Sequence, residues 1–115
     1  AIAIHKKMKC DSIVSIAEVV HGHPYWVKLF DSKNYKVSNF MNVDVAKYPQ
    51  KQDLPNCYML TGGFYIRKAE LLNNSKGLYL GNDIRGYPLS FEEALDIDTE
   101  EDMKYFEYLV LKNII

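Results

Sequence analysis

Cysteine is scarce in this chain: two in 115 residues, Cys10 and Cys57, far apart and in no Cys-x-x-Cys pair. That excludes a disulfide framework and a cysteine zinc site, so both are expected as free thiols in a reducing compartment. Long apolar runs are missing too. No stretch nears the roughly 18 apolar residues of a membrane span, and no signal-peptide pattern is present, so the expected location is cytoplasmic. The closest thing to a basic run, His5-Lys6-Lys7-Met8-Lys9, is too short for a nucleic-acid arm, and with a formal charge of −1 neither nucleic acid nor a membrane surface is an expected partner. Internal repeats and a linker are also lacking.

What is present fits one globular unit spanning residues 1–115, with 48% hydrophobic residues. Residues 1–8 have helical spacing, with Ala1, Ile4 and Met8 on one stripe, but no N-cap and no initiator Met. The chain thus reads as opening inside a helix. Asp11-Ser12 then leads into Ile13-Val14-Ser15-Ile16-Ala17-Glu18-Val19-Val20, a β-branched run of the kind buried on both faces in parallel sheets. A helix followed by such a strand is half of an α/β unit.

His21-Gly22-His23-Pro24-Tyr25-Trp26 reads as a loop closing on aromatics, its histidines as loop residues because nothing completes a metal set. Val27-Lys28-Leu29-Phe30 and Tyr35-Lys36-Val37-Ser38-Asn39-Phe40 flank a polar turn and predict a hairpin. Residues 41–55 predict an irregular arm. A strand follows over residues 57–66, interrupted by Gly62-Gly63, a pair that marks a bulge or tight bend more often than a binding loop. A short helix over residues 68–72, a strand-like Gly77-Leu78-Tyr79-Leu80 and a turn-rich segment over residues 81–88 come next.

The segment Asp96-Ile97-Asp98-Thr99-Glu100-Glu101-Asp102-Met103 carries the most chemistry. As a strand it would point Asp96 and Asp98 the same way, with Leu95 and Ile97 turned to the apolar side. Two carboxylates so close repel unless a cation sits between them, and oxygen-only ligation suits Mg²⁺ or Mn²⁺ with substrate phosphates. The bland alternative makes Asp98 a helix N-cap, with Glu101 completing a capping box. Met103, Phe106, Val110 and Ile114 recur at helical spacing after it, predicting a helix docked on a core.

In order, Ser12-Ile13-Val14-Ser15-Ile16-Ala17-Glu18-Val19, His23-Pro24-Tyr25-Trp26, Lys51-Gln52-Asp53-Leu54-Pro55, Gly62-Gly63-Phe64-Tyr65-Ile66 and Asp96-Ile97-Asp98-Thr99-Glu100 resemble the acylneuraminate cytidylyltransferases, enzymes that activate acidic sugars. The resemblance implies an α/β fold, part of a mostly parallel, Rossmann-like nucleotidyltransferase sheet, with residues 24–55 as a projecting hairpin arm that crosses a homodimer. It implies attack of a sugar hydroxyl on CTP, release of pyrophosphate, and Mg²⁺ (or Mn²⁺) held by Asp96 and Asp98. It places Lys51, Gly62, Tyr65 and Tyr79 in the sugar site, with core or interface packing an equal reading for the two tyrosines.

Two departures qualify the substrate. The family's arginine at the start of Arg-Gln-x-Leu-Pro is here Lys51, which lacks the planar fork for a carboxylate. Where the family often has Arg-x-Asn-Gly, this chain has Met59-Leu60-Thr61-Gly62. The implied substrate is therefore a nonulosonic or related acid, not fixed as sialic acid. Nothing matches the family's N-terminal, CTP-gripping loop, so the expectation is a C-terminal piece of a longer enzyme, inactive alone. A related transferase for deoxy-octulosonate or another sugar, or a non-catalytic dimerisation module, are the alternatives.

Overall fold

The computed structural model describes residues 1–73 and 79–115. They form two compact units, one of residues 1–17 with 59–115 and one of residues 18–58.

The first unit is built on β1 (Ser12–Glu18), flanked by β4 (Tyr58–Arg67) and β5 (Ile84–Pro88) in the order β4-β1-β5. The β-branched run makes β1 as expected: Ser12, Ile13, Val14, Ser15 and Ala17 are buried, and with Cys10 and Leu109 they form the core. Burial on both faces explains why this strand is apolar without alternation. It pairs in parallel with β5, Ser12 opposite Ile84 through Ile16 opposite Pro88. On its other edge the Lys68 N–H reaches the Asp11 carbonyl at 3.0 Å while Ser15 meets Phe64, so β4 runs antiparallel and the sheet is mixed. The fold is thus α/β, with parallel pairing confined to β1 and β5 among the described strands.

Strand β5 lies where a turn-rich segment was expected. Gly81, Asn82 and Gly86 suggested turns, but the open edge of β1 accepts Ile84–Pro88 as a partner, and tertiary pairing overrides local preference. Of the strand-like Gly77-Leu78-Tyr79-Leu80, Gly77 and Leu78 lie outside the described residues, and Tyr79 and Leu80 are not in a strand. The Ser12 hydroxyl donates to the Leu80 carbonyl at 2.7 Å and fixes this segment to the core.

Asp11 clamps the approach to β5. Its carboxylate accepts the N–H groups of Asn82 at 2.9 Å and Asp83 at 3.0 Å and pairs with Lys68 Nζ at 3.1 Å. The Asp83 and Asn82 amides, then the Lys68 ammonium, hold its carboxyl down to about 2 from an ordinary 3.8. Gly81, at φ 86°, packs so closely that a Cβ there would sit 2.5 Å from the Asp11 Cβ.

Among the described residues a 3₁₀ helix, Ala69–Asn73, and two α-helices complete this unit: α1 (Ile2–Met8), without a side-chain cap and with no buried residue, and α2 (Glu100–Leu111). Helix α2 buries Leu109, with Asp102, Tyr105 and Phe106 half-buried. The expected stripe is therefore rotated: Phe106 is on the inner face, but Met103, Val110 and Ile114 are 44%, 45% and 48% exposed. Leu109 falls in the same periodic pattern shifted by one position, and apolar spacing alone did not separate the two faces.

The second unit holds the expected hairpin, β2 (Lys28–Asp31) antiparallel to β3 (Lys36–Asn39), with Tyr35 at φ 60° in the turn. Every residue of both strands is exposed. Short 3₁₀ turns at Pro24–Trp26, Val45–Lys47 and Lys51–Asp53 punctuate the rest, in keeping with an irregular arm.

Gly81→Ala should lower stability by about 1–3 kcal/mol, through both positive φ and collision with a clamped neighbour, as read by thermal unfolding. Because the folded-state pKa of Asp11 lies below its unfolded value, its contribution is complete above about pH 4 and is lost as pH falls toward 2. Acid titration of Asp11→Asn should show a shallower loss of stability over that interval than the parent chain.

Candidate functional site

The glycine pair in β4 is a bulge, the more frequent of its expected meanings. Ser15, 1% exposed in mid-β1, is the pivot. Its hydroxyl accepts the Phe64 N–H at 3.0 Å, and the Thr61 hydroxyl lies 2.7 Å from the same oxygen. Thr61 and Phe64 both meet Ser15; between them Gly62 stands in open space at φ 72°, while Gly63 stays close, a Cβ there falling 3.2 Å from Ser15 Oγ. A side chain at Gly62 would be strained in that conformation whatever the space around it.

The bulge borders a cavity of about 170 Å³ whose other wall is Glu93, Ala94, Leu95 and Asp96. Ser90 and Glu93 form the turn that delivers this wall: the Glu93 N–H donates to Ser90 Oγ at 3.1 Å and the Ser90 N–H to Glu93 Oε1 at 3.3 Å. Sequence reasoning singled out neither Ser15 nor Glu93. A serine inside an apolar run and the spacing Ser-x-x-Glu were the signals that could have found them.

Residues 95–98 are not a strand. They have no ladder partner, so the alternation that was to align Asp96 with Asp98 is not imposed by a sheet, and Ile97 is 41% exposed. Both aspartates are exposed. The cap also differs from the expected Asp98 and Glu101. Thr99 is the N-cap, its Oγ1 accepting the Asp102 N–H at 3.2 Å, and Asp102 Oδ2 accepts the N–H groups of Thr99 at 2.9 Å and Asp98 at 3.1 Å. The Asp98 and Thr99 donors lower the Asp102 carboxyl pKa, with the Asp98 N–H the largest cause. Threonine takes the cap because its hydroxyl reaches the third helical amide while the carboxylate completing the box is one residue beyond Glu101. The Asp98 carboxylate is therefore not spent on capping.

Asp96 and Asp98 fit a hard divalent cation as far as their chemistry goes: two exposed carboxylates, in no ion pair among the described residues, one of them bordering a cavity. No group of three or more His, Cys, Asp or Glu side chains gathers among the described residues, so such an ion would draw its remaining ligands from water and substrate. Tyr65 lies on β4, 40% exposed, and Tyr79 is 37% exposed with its carbonyl accepting from Arg67 Nη1 at 3.1 Å.

Lys51 is in the second unit, exposed, at the start of the turn Lys51–Asp53. It borders a cavity of about 210 Å³ together with Glu18, His21, His23, Trp26 and Cys57. His23 accepts the Tyr25 N–H on Nδ1 at 3.1 Å and contacts the Pro55 carbonyl with Nε2 at 2.9 Å. Its ring packs on Tyr25 and that ring on Tyr48, at centroid distances of 5.0 and 5.2 Å. With both nitrogens occupied, His23 is no metal ligand.

No family model matches the chain. It is 29% identical over 93 residues, 80% of this chain and 37% of the other, to a Campylobacter jejuni protein named CMP-N,N'-diacetyllegionaminic acid synthase. It is 30% identical over 112 residues, 97% of this chain and 25% of the other, to N-acylneuraminate cytidylyltransferase A of Danio rerio. The chain thus spans between a quarter and just over a third of the curated relatives it matches. Over most of its length it is similar to acylneuraminate-type sugar cytidylyltransferases, as its motifs indicated.

Thr99→Ala should cost about 1 kcal/mol of stability, whereas Asp98→Asn should change it by less than about 0.5 kcal/mol, compared by urea unfolding. An equal loss in both would return Asp98 to the cap.

Proposed function

We propose that this chain is part of a cytidylyltransferase that joins CMP from CTP to an acidic, nonulosonic sugar and releases pyrophosphate. The observation that carries this reading is the cavity shared by the Gly62-Gly63 bulge and Asp96, with Asp98 two residues on and free of the helix cap. Glycines lining the cavity, Gly62 with open space around it, leave backbone and room for a substrate's approach, and the two aspartates are the hard oxygen donors a phosphate-bound Mg²⁺ requires. When bound, that cation offsets charge developing on the phosphate oxygens during displacement. Asp96 and Asp98 would hold it, directly or through water; the reaction itself is attack of the sugar hydroxyl on the α-phosphate with pyrophosphate leaving in line.

Gly62, Tyr65 and Tyr79 border the sugar, and Lys51, carried on the arm to the sugar site of the other copy in a homodimer, supplies positive charge for the carboxylate there. A lysine offers a point charge with rotatable donors, which suits an acid without demanding one carboxylate orientation. The likeness to relatives named for legionaminic and neuraminic acids supports this substrate class. Residues 24–55 form a dimerisation arm. Its support is the hairpin's full exposure, including Phe30 at 62%, with Phe40 next to its end at 63%, since a lone two-stranded hairpin is marginal in water and gains stability from a partner. A Rossmann-like nucleotidyltransferase sheet, to which β4-β1-β5 contributes, and a cytoplasmic location, consistent with two free thiols, complete the reading.

Pyrophosphate release by the complete gene product, given CTP, Mg²⁺ and a panel of nonulosonic acids, tests it, with the 115-residue chain run in parallel. The complete protein should be active and the chain alone silent. Asp98→Asn should lower turnover by about two orders of magnitude or more without unfolding, and Lys51→Ala should mainly raise the sugar KM. Activity with deoxy-octulosonate alone would move the substrate class, and silence across the panel would favour a non-catalytic module.

A further inference from the structure

We propose that His23 is a positioning residue that fixes the Lys51 turn for recognition of the sugar carboxylate. The proposal rests on the reading of Lys51 given above. A backbone N–H only donates, so His23 Nδ1, 3.1 Å from the Tyr25 nitrogen, must be the unprotonated ring nitrogen. The proton of the neutral ring is then on Nε2, which donates to the Pro55 carbonyl 2.9 Å away. One tautomer satisfies both contacts, one local and one 32 residues along the chain.

Pro55 ends the segment Lys51-Gln52-Asp53-Leu54-Pro55. Within it the Asp53 N–H donates to the Gln50 carbonyl at 3.0 Å, the Leu54 N–H to the Lys51 carbonyl at 3.2 Å, and the Gln50 N–H to Asp53 Oδ2 at 3.1 Å. These bonds shape the turn but tie it to nothing outside itself. Beyond it the Val19 N–H donates to the Cys57 carbonyl at 2.9 Å, and the bond from His23 ties Pro55 itself to the wall of the cavity, where His23, Trp26, Lys51 and Pro55 all take part. The T-shaped contact with Tyr25, itself against Tyr48, holds the imidazole plane. A long lysine side chain recognises a carboxylate with defined geometry only where its backbone is held, so loosening Pro55 should act on acid binding and not on phosphoryl transfer.

Two substitutions separate the two ring contacts. His23→Asn keeps an acceptor near Nδ1 for the Tyr25 N–H but is too short to reach Pro55. His23→Gln places an amide donor near Nε2 and keeps Pro55 while losing the local acceptor. In the complete protein, His23→Asn should raise the KM for the acidic sugar about tenfold, the worth of one hydrogen bond, with kcat and the KM for CTP nearly unchanged. His23→Gln should recover most of that loss, and in a Lys51→Ala background His23→Asn should add nothing further. An unchanged sugar KM in His23→Asn, equal damage in both variants, or full additivity with Lys51→Ala would each overturn the proposal. Amide exchange over residues 51–55 reads the clamp without reference to catalysis. Faster exchange in the Asn than in the Gln variant supports it even if no acidic sugar reacts, the result that would instead sink the functional reading, and equal exchange overturns it.

Discussion

The first unit depends on one strand placed where water cannot reach it. Burial of Ser12 to Ser15 and of Ala17 removes most of the β1 backbone from solvent, so its N–H and C=O groups must find partners in β4, β5 and the residues that flank them, and each buried polar side chain on it must be satisfied. Ser12 and Ser15 meet that demand by binding neighbouring segments, Ser12 through the Leu80 carbonyl and Ser15 through Thr61 and Phe64. Among the described residues no buried side-chain polar atom lacks a partner. The cost of leaving a hydroxyl unpaired in such a place is about 1–3 kcal/mol, which is enough to set the path of the neighbouring chain.

From that constraint the site follows. Ser15 draws in Thr61 and Phe64 together, so Gly62 between them takes a positive φ in open space and Gly63 lies against Ser15, both lining the cavity whose far wall ends in Asp96. The Ser90–Glu93 turn and the Thr99–Asp102 cap, which also takes the Asp98 N–H, fix the two ends of the acidic segment and leave the carboxylates of Asp96 and Asp98 outside both. Polar groups that look merely structural therefore decide which carboxylates remain available for chemistry.

Much of this was legible in residue order because local and global preferences agree there. The β-branched run had to be a buried strand, the hairpin had matched strands around a polar turn, and Gly62-Gly63 could not continue a regular ladder. The rest needed partners that residue order does not show. Strand β5 exists because β1 has an open edge, not because its own residues favour a strand. The inner face of α2 turned on Leu109, which apolar spacing did not distinguish from Val110. The cap moved from Asp98 to Thr99 through geometry at the single-residue level, and the Asp96 segment lost its strand for want of a neighbour. The role of His23 was hidden because Pro55 is remote in sequence. Similarity to sugar cytidylyltransferases and the motif order point to the same chemistry, and the structure adds how the chain presents the residues concerned.

Anomalous diffraction from crystals of the complete protein grown with Mn²⁺ and CTP tests the central claim most directly. The account predicts a manganese peak within coordinating distance of Asp96 or Asp98, on the side of the Gly62-Gly63 bulge, with nucleotide phosphate as a further ligand. A nucleotide-bound manganese held by other acids, with Asp96 and Asp98 both turned to solvent, would contradict it.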